Sequence, residues 1–532
     1  MAREYKEYKY ECLKGLQPAE FFYWFGEIAA IPRGSGNEQG MIEFLKEYAE
    51  ERHFPYEIDA KGNVFMRVPA TPGYEEQPPV LFQAHVDIVA AVDEGVDFDF
   101  ARDSLKLRRE GDEIYACGTT LGADNGVGVA TMLALADTLA DAEADTPTDK
   151  TEKAHPPLEL LFTVEEETGL HGIRQFDCSK IKARRMINMD CGDSHLLCVS
   201  TAGAIAGKIE KTYEMSPVGA GETFLEIRLF GGLGGHAGMV ANKNRACAIN
   251  NTGELIVSIF AAGEQARLCA LASKGKAVCK EAWALLAVDK DKAAAIRQIM
   301  EKRFALIKGI YNEYDPDLSL TISEVDDKEA ARALGSQNSE KESLRALGSQ
   351  GSEKDGLRAL DPQNSEKIGR LLSLIHTGQY RNDTVNFATV ITSCSIQETW
   401  LKENGEFFLR YSVRSSSNPD KELLHEKFVF IAGMLGMELK EYDRYSGWPP
   451  RQHSDFAAKF SKAYAELFAE PLTVQRTHGC VETGVIVEQI PDMDAVGYAP
   501  TSTGAHTTSE HLFINEVAPY WEVIKKVMAQ KE

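Results

Sequence analysis

Hydrophobic positions near the start of the chain recur at the spacing of amphipathic helices. Between Pro18 and Ile31 apolar residues fall along one helical stripe, and Met41, Ile42, Phe44, Leu45 and Tyr48 form a second. The loop IPRGSGNE separates the two predicted helices. The period then shortens. Tyr56 to Val68 reads as a hairpin turning at Lys61-Gly62-Asn63, and Pro79 to Ala84, PVLFQA, is a short buried strand ending at His85-Val86-Asp87. A second apolar, β-rich run, Leu158 to Val164, stops abruptly at Glu165, Glu166 and Glu167, with Thr168 and Gly169 behind them. A third short strand, Ala183 to Met189, ends at Asp190. Between the first two strands lies CGTTLGADNGVGVATMLALADTLA, where Asp124 and Asn125 introduce a helix with an Ala/Leu/Met face. Strand, helix, strand, strand with polar residues at the tips predicts an α/β fold. In open α/β sheets the site lies outside the carboxyl ends of the strands. His85, Asp124, Glu166, Glu167 and Asp190 all satisfy that placement.

From about Ile205 the texture changes to alternating strands, such as Thr223 to Phe230, and longer helices, such as Ala294 to Ile310. Val390 to Ile396, Glu406 to Val413 and the helix Lys421 to Leu435 continue it, and around Tyr445-Ser446-Gly447-Trp448-Pro449-Pro450 the chain leaves this region. The expected organisation is a discontinuous α/β domain, a mixed sheet flanked by helices over residues 1–204 and 445–532, with an inserted α+β domain at 205–444. Within the insert, 332–370 holds a tandem repeat of period 13: RALGSQNSEKESL, RALGSQGSEKDGL and RALDPQNSEKIGR. Each copy offers Ser-Glu-Lys as a helix start, and only the third flows into a convincing helix, IGRLLSLIHTG. The first two copies carry little apolar surface and read as an exposed, flexible lead-in. By loop-closure arithmetic, tripling such a connection costs only about 1 kcal/mol.

Charge and composition narrow the function. With 532 residues the chain exceeds one compact core, so two or three domains are expected. Its 81 acidic against 58 basic residues, net −23, argue against nucleic acid or an anionic membrane as partner. No apolar signal core follows Met1 and no span of about twenty apolar residues follows later, so a cytoplasmic protein is expected. Ten cysteines are scattered singly without a CxxC pair, which favours reduced thiols over disulfides or a thiolate metal site.

Carboxylates crowded at strand tips repel one another and call for a cation. Asp87 is placed to take the imidazole N–H of His85 and fix its tautomer, the usual support of a metal-binding histidine. Asp124 could equally be a plain helix N-cap, and Asp190 a turn residue. The glycines around Asp124 allow close backbone approach, which a cap alone does not require. With His506 in its glycine-flanked loop, two histidines join three carboxylates. Nitrogen and oxygen donors without thiolates suit zinc, with manganese or cobalt as substitutes. Five ligands exceed one tetrahedral site and fit two metals sharing a carboxylate.

The ordered set HVD at His85, GADNGVG around Asp124, EEETG at Glu165, NMD at Asn188, GGHAG around His236 and GAH at His506 resembles the co-catalytic zinc aminoacylase/carboxypeptidase family, and within it the aminoacyl-histidine dipeptidase branch. The resemblance covers nearly the whole chain, the 13-residue repeats being the departure. It implies that Asp124 bridges two zinc ions, that His85 and Asp190 complete one site, and that Glu167 and His506 complete the other. Asp87 would orient His85, and Glu166 would be the catalytic base. The triple glutamate leaves a one-residue ambiguity, which Thr168-Gly169 anchors. His236 would stabilise the oxygen that gains charge, and Arg414 and Asn244 would bind the substrate carboxylate, Arg being well shaped for it. His478, in RTHGCVETG, matches a loop near the family's substrate pocket, with Glu482 beside it. The implied activity is hydrolysis of unblocked dipeptides, Xaa-His among them, by a homodimer joined through the inserted lid domain. The alternatives are a tripeptidase, an N-acyl amino acid hydrolase, or a non-catalytic metal-stabilised binding protein.

Overall fold

Two of the apolar runs that end in charged residues become neighbouring strands in which every residue is buried, Val80–His85 and Leu158–Thr163. Such runs suit parallel strands covered on both faces. The computed structural model describes residues 5, 7–137, 154–235, 240–274, 278–330, 357–384 and 388–531. The chain divides into two units, Met1–Thr201 with Trp448–Glu532, and Ala202–Gly447.

The first unit is built on an eight-stranded sheet. Its strands in chain order are Tyr56–Ile58 (β1), Val64–Val68 (β2), Val80–His85 (β3), Leu158–Thr163 (β4), Arg185–Asn188 (β5), Leu196–Cys198 (β6), Thr473–Gln475 (β7) and Asp494–Gly497 (β8). They lie in the order β1-β2-β4-β3-β5-β8-β6-β7. Strand β3 pairs in parallel with β4 on one side and β5 on the other, His85 standing opposite Thr163 and Gln83 opposite Asn188. The residues that follow these three strands therefore emerge at one end of the sheet. The predicted hairpin forms between β1 and β2, Ile58 pairing with Val64. Its turn is organised by Asp59, whose Oδ1 accepts the backbone N–H of Lys61, Gly62 and Asn63 at 2.9 Å each.

Helices Ala19–Ala29 (α1), Gln39–Glu51 (α2), Ala123–Ala136 (α3), Asp455–Phe468 (α4) and Ile514–Ala529 (α6) supply much of the same core, and the short helix Thr483–Gln489 (α5) lies between the last two in the chain. Helix α3 approaches β3 and β5 so closely that a methyl group at Gly128 would lie 2.5 Å from Met189 Cβ and 2.8 Å from Ala84 Cβ. At the far end of α3 the buried Asp137 carboxylate accepts Trp24 Nε1 (2.9 Å), Tyr48 Oη (3.0 Å) and Arg52 Nε (2.7 Å), tying α3 to α1 and α2. Among the described residues no helix is long and apolar enough to cross a membrane.

The second unit holds a nine-stranded sheet. All its strand pairs are antiparallel, as its alternating sequence predicts. Its core packs helices Ala248–Ala261, Ala293–Tyr311, Pro362–Leu374 and Asn418–Met434 against that sheet. The first two repeat copies lie outside the described residues, apart from Leu357. The third is a helix, but it starts earlier than Ser-Glu-Lys. Asp361 is the cap, its Oδ1 accepting Asn364 N–H at 2.8 Å, and Pro362 opens the helix. Ser365 lies inside it and donates to the Asp361 carbonyl at 2.8 Å. The first two copies carry Gly-Ser where the third has Asp-Pro. All ten cysteines are free thiols.

Candidate metal centre

The turn after β4 sets three adjacent glutamates in three environments. Glu165 has a left-handed φ of 50°, donates its N–H to Glu38 Oε1 at 3.2 Å, and sends its carboxylate to Lys61 Nζ at 2.5 Å. That lysine stands in the β1–β2 turn. From the same turn Asn63 accepts the Val164 N–H at 3.2 Å and donates to Gly172 O at 2.9 Å, holding both ends of the acidic loop. Glu166 and Glu167 turn the other way. Glu166 Oε2 lies 4.0 Å from His85 Nε2, and Glu167 Oε1 lies 2.9 Å from His506 Nε2.

Asp87 holds that arrangement from below. Fully buried, it accepts the backbone N–H of Glu166 on Oδ1 (3.0 Å) and that of Glu167 on Oδ2 (3.2 Å), together with the Ser35 hydroxyl (2.8 Å). His85 Nδ1 is 3.5 Å from Asp87 Oδ1 and 3.0 Å from the Asp87 carbonyl, which leaves Nε2 facing the acids. Burial pushes the Asp87 carboxyl up, but the His85 ring and these donors outweigh it and hold the group below its ordinary value.

Asp124 lies between the histidines. Its Oδ1 is 3.0 Å from His85 Nε2 and its Oδ2 is 3.3 Å from His506 Nε2. Non-helical dihedrals at Asp124 and Asn125 place Asp124 just ahead of the true start of α3. Asp190, at the end of β5, brings Oδ1 to 3.9 Å from His85 Nε2. Two donor sets gather within 4.8 Å: His85 with Glu166 and Asp190, and His85 with Asp124 and Glu167. His506 reaches in from a loop residue with φ of 66°. A pocket of about 390 Å³ opens on them, lined by Asp124, Glu166, Glu167, Asp190 and His506 and walled by the loops from Cys191 to Cys198 and from Gln475 to Val481.

The electrostatics fit a cation. Five carboxylates line this pocket, those of Asp124, Glu166, Glu167, Asp190 and Asp193, and among the described residues its lining contains no lysine or arginine. Burial raises the Asp190 carboxyl well above its ordinary value, and the charge of Asp124 adds to the shift. Burial likewise raises Glu166, although His85 opposes it. Asp124 is driven the other way: burial disfavours its charge, but the contacts to His506 and His85 prevail. Carboxylates that cannot all ionise unaided and two imidazoles form an oxygen and nitrogen donor set of the kind that binds zinc or manganese, while Cys191, Cys198 and Cys480 line the pocket but join neither clustered donor set.

Several supports escaped the sequence reading. Arg33, in the loop between α1 and α2, is fully buried and donates to Val86 O (3.0 Å) and Gly122 O (2.7 Å), joining the His85 segment to the Asp124 turn. Burial lowers its pKa to about 10, against the opposing pull of Glu510, Asp87 and Asp124. Glu510 accepts the N–H of Gly122 (2.8 Å) and of Asp124 (3.0 Å). A signal for Arg33 did exist, since the only cation of IPRGSGNE sits between an apolar helix end and two glycines. Of the other expected residues, His478 is buried beside pocket-lining Thr477 and Gly479. Glu482 is also buried, with its carboxylate against Gln83 and Thr163 rather than at the pocket wall. Asn244 and Arg414 belong to the second unit, Arg414 on the strand Glu406–Ser415. His236 lies outside the described residues.

Comparison with known proteins gives the same outline. A model of peptidase family M20/M25/M40 matches residues 81–530. The cytosol non-specific dipeptidase of Escherichia coli is 27% identical over 523 residues, 97% of this chain and 99% of that protein. The aminoacylhistidine dipeptidase of Vibrio alginolyticus has a similar structure, with a TM-score of 0.82 at 24% identity over 98% of each chain. An aminopeptidase of Bacillus cereus is a more distant likeness, with a TM-score of 0.54 at 16% identity, covering 97% of this chain and 98% of its own.

Proposed function

The chain belongs to peptidase family M20/M25/M40, and from that premise we propose that it is a two-zinc dipeptidase that hydrolyses unblocked dipeptides, Xaa-His dipeptides among them. The observation that carries this reading is the convergence of His85, Asp124, Glu166, Glu167, Asp190 and His506 on one pocket whose lining, among the described residues, has no lysine or arginine. The end-to-end likeness to a non-specific dipeptidase supports the substrate class. We assign Asp124 as the shared ligand, His85 and Asp190 to one zinc, and Glu167 and His506 to the other. Manganese and cobalt suit the same donors.

When bound, the metal pair acidifies water and polarises the scissile carbonyl. Glu166 then takes the proton of the attacking water and returns it to the leaving amine. Its burial suits this role, because a carboxyl raised above its ordinary value is a better proton acceptor than an exposed one. Asp87 aims His85 and, through two backbone N–H groups, Glu166 and Glu167. In the second unit Arg414 and Asn244 are assigned to the substrate carboxylate and His236 to the carbonyl oxygen. That unit is proposed as lid and dimer contact, and the cytoplasm as the protein's location.

The test is a dipeptide panel, with N-acetyl amino acids as a second arm, on chelated protein restored with zinc, manganese or cobalt. Turnover of Xaa-His and other free dipeptides that vanishes on chelation and returns with metal is the expected result. Full activity from protein shown metal-free by elemental analysis would sink the metal centre, and turnover confined to the N-acetyl arm would identify an acyl amino acid hydrolase instead.

A further inference from the structure

Beneath the strand tips runs a line of buried polar side chains that the hydrolytic reading leaves unused. Gln83 stands two residues before His85 on β3, Thr163 three before Glu166 on β4, and Asn188 two before Asp190 on β5, and each is 0% exposed. Asn188 Nδ2 donates to Gln83 Oε1 at 2.6 Å. Gln83 Nε2 donates in turn to Glu482 Oε2, and the Thr163 hydroxyl donates to that same oxygen at 2.6 Å. At its other end the chain reaches the site directly, the Asp190 N–H donating to Asn188 Oδ1 at 3.1 Å. Glu482, the residue before α5, is 1% exposed, and its second oxygen, Oε1, finds no hydrogen-bond partner among the described residues.

Burying four polar side chains in an apolar sheet is costly unless their bonds serve a geometry. Strands apolar on both faces lack the in–out alternation that specifies register elsewhere, so directional bonds between them carry that information. The three strands so joined are those whose tips supply one of the two donor sets, His85, Glu166 and Asp190. We propose that Glu482 is a positioning residue: as the common acceptor of Gln83 and Thr163, it fixes the offset of β3, β4 and β5 and so sets the spacing of His85, Glu166 and Asp190. It acts through those neighbours rather than by touching the reacting atoms. The inference rests on the reading of this pocket as a hydrolytic metal centre.

The full chain carrying Glu482→Ala, Glu482→Gln or Thr163→Val tests it, read by steady-state kinetics and by zinc competition against a chelator. Outer supports of metal ligands change affinity or activity by roughly 10–100-fold. Glu482→Ala should lower kcat by about tenfold or more, leave KM within about twofold, and weaken zinc binding about tenfold. Glu482→Gln keeps an acceptor oxygen and should restore most of both, while Thr163→Val should move both in the direction of Glu482→Ala. If Glu482→Ala does not fold, the contrast between Thr163→Val and Glu482→Gln decides. A raised KM at unchanged kcat would make Glu482 a substrate contact, and lost thermal stability with wild-type kcat and zinc affinity would make it merely structural. Either overturns the proposal. Wild-type protein that binds zinc yet cleaves no peptide would sink the hydrolase reading alone, because the zinc competition still compares the variants.

Discussion

Replacing Asp87 by asparagine exchanges one carboxylate oxygen for an NH₂ group and removes a charge, and its cost is set by the bonds the two oxygens make. The carboxylate accepts the N–H of Glu166 at 3.0 Å, the N–H of Glu167 at 3.2 Å and the Ser35 hydroxyl at 2.8 Å. An amide has one accepting atom. If its oxygen serves Glu166, its NH₂ faces the Glu167 N–H, and if the amide flips the conflict moves to Glu166. The Ser35 hydroxyl can rotate to accept, but a backbone N–H cannot. One buried donor is therefore stranded in either orientation, at about 1–3 kcal/mol. The displaced group is the backbone of the proposed base or of a proposed ligand, so the loss appears in the chemistry as well as in stability. Asp87→Asn should reduce kcat/KM about 10–100-fold and weaken one metal, with a lowered melting temperature. The assays are dipeptide hydrolysis, elemental analysis and thermal melting. Asp87→Asn protein with kcat/KM within about twofold of wild type and an unchanged melting temperature would refute the reasoning, because 1 kcal/mol alone is about fivefold.

The three glutamates are separable one by one. Glu166→Gln should cut turnover by about a hundredfold or more with both metals retained, whereas Glu167→Gln should lose metal first. Glu165→Gln gives up only a partly exposed pair with Lys61, roughly 0–1 kcal/mol, and should leave turnover near wild type. An inactive, metal-replete Glu165→Gln protein would shift the assignment by one residue. Deleting residues 332–356, and sparing Leu357 because it packs against the cluster that holds Phe224 and Leu285 and its carbonyl accepts Val218 N–H at 2.9 Å, should leave turnover and melting temperature nearly unchanged, since the deleted sequence offers little apolar surface, and a loss of several degrees would refute that.

What could be read from the sequence was whatever depends on near neighbours. Largely apolar runs marked β3 and β4 because strands covered on both faces need them, although β4 also buries Glu159, whose carboxylate accepts the N–H groups of Lys182 and Ala183. His85, Glu166, Glu167 and Asp190 were readable as residues at or just beyond strand ends, whereas Asp124 was read from a helix start among glycines and His506 from its glycine-flanked loop. Strand β7 was not, because Thr473, Val474 and Gln475 are all exposed at the sheet's edge and carry no apolar pattern. Glu482 was read only as a companion of His478 because its donor Gln83 lies 399 positions away, and Gln83 looks like an interruption of PVLFQA until that partner is known. Glu510 stands 388 positions from Gly122 and is equally silent. The third repeat misled because Ser-Glu-Lys is a sound capping signal, but Asp361-Pro362 supplies a stronger one four residues earlier.

The triple glutamate shows where pattern gives way to environment. Glu165, Glu166 and Glu167 have the same carboxylate, and an extended strand would send alternate residues to opposite faces. The chain instead leaves extended geometry at Glu165, whose left-handed φ of 50° redirects the next two residues. Lys61 then draws Glu165 aside, while Asp87 takes the N–H groups of Glu166 and Glu167. Lys61 sits in one turn, 104 positions before Glu165, and Asp87 ends another strand segment, 79 positions before Glu166. The identity of the buried carboxylate beside His85 is therefore decided by partners far upstream of the acidic run itself. A change at Asp87 would disturb the placement of Glu166 and Glu167 without touching either glutamate.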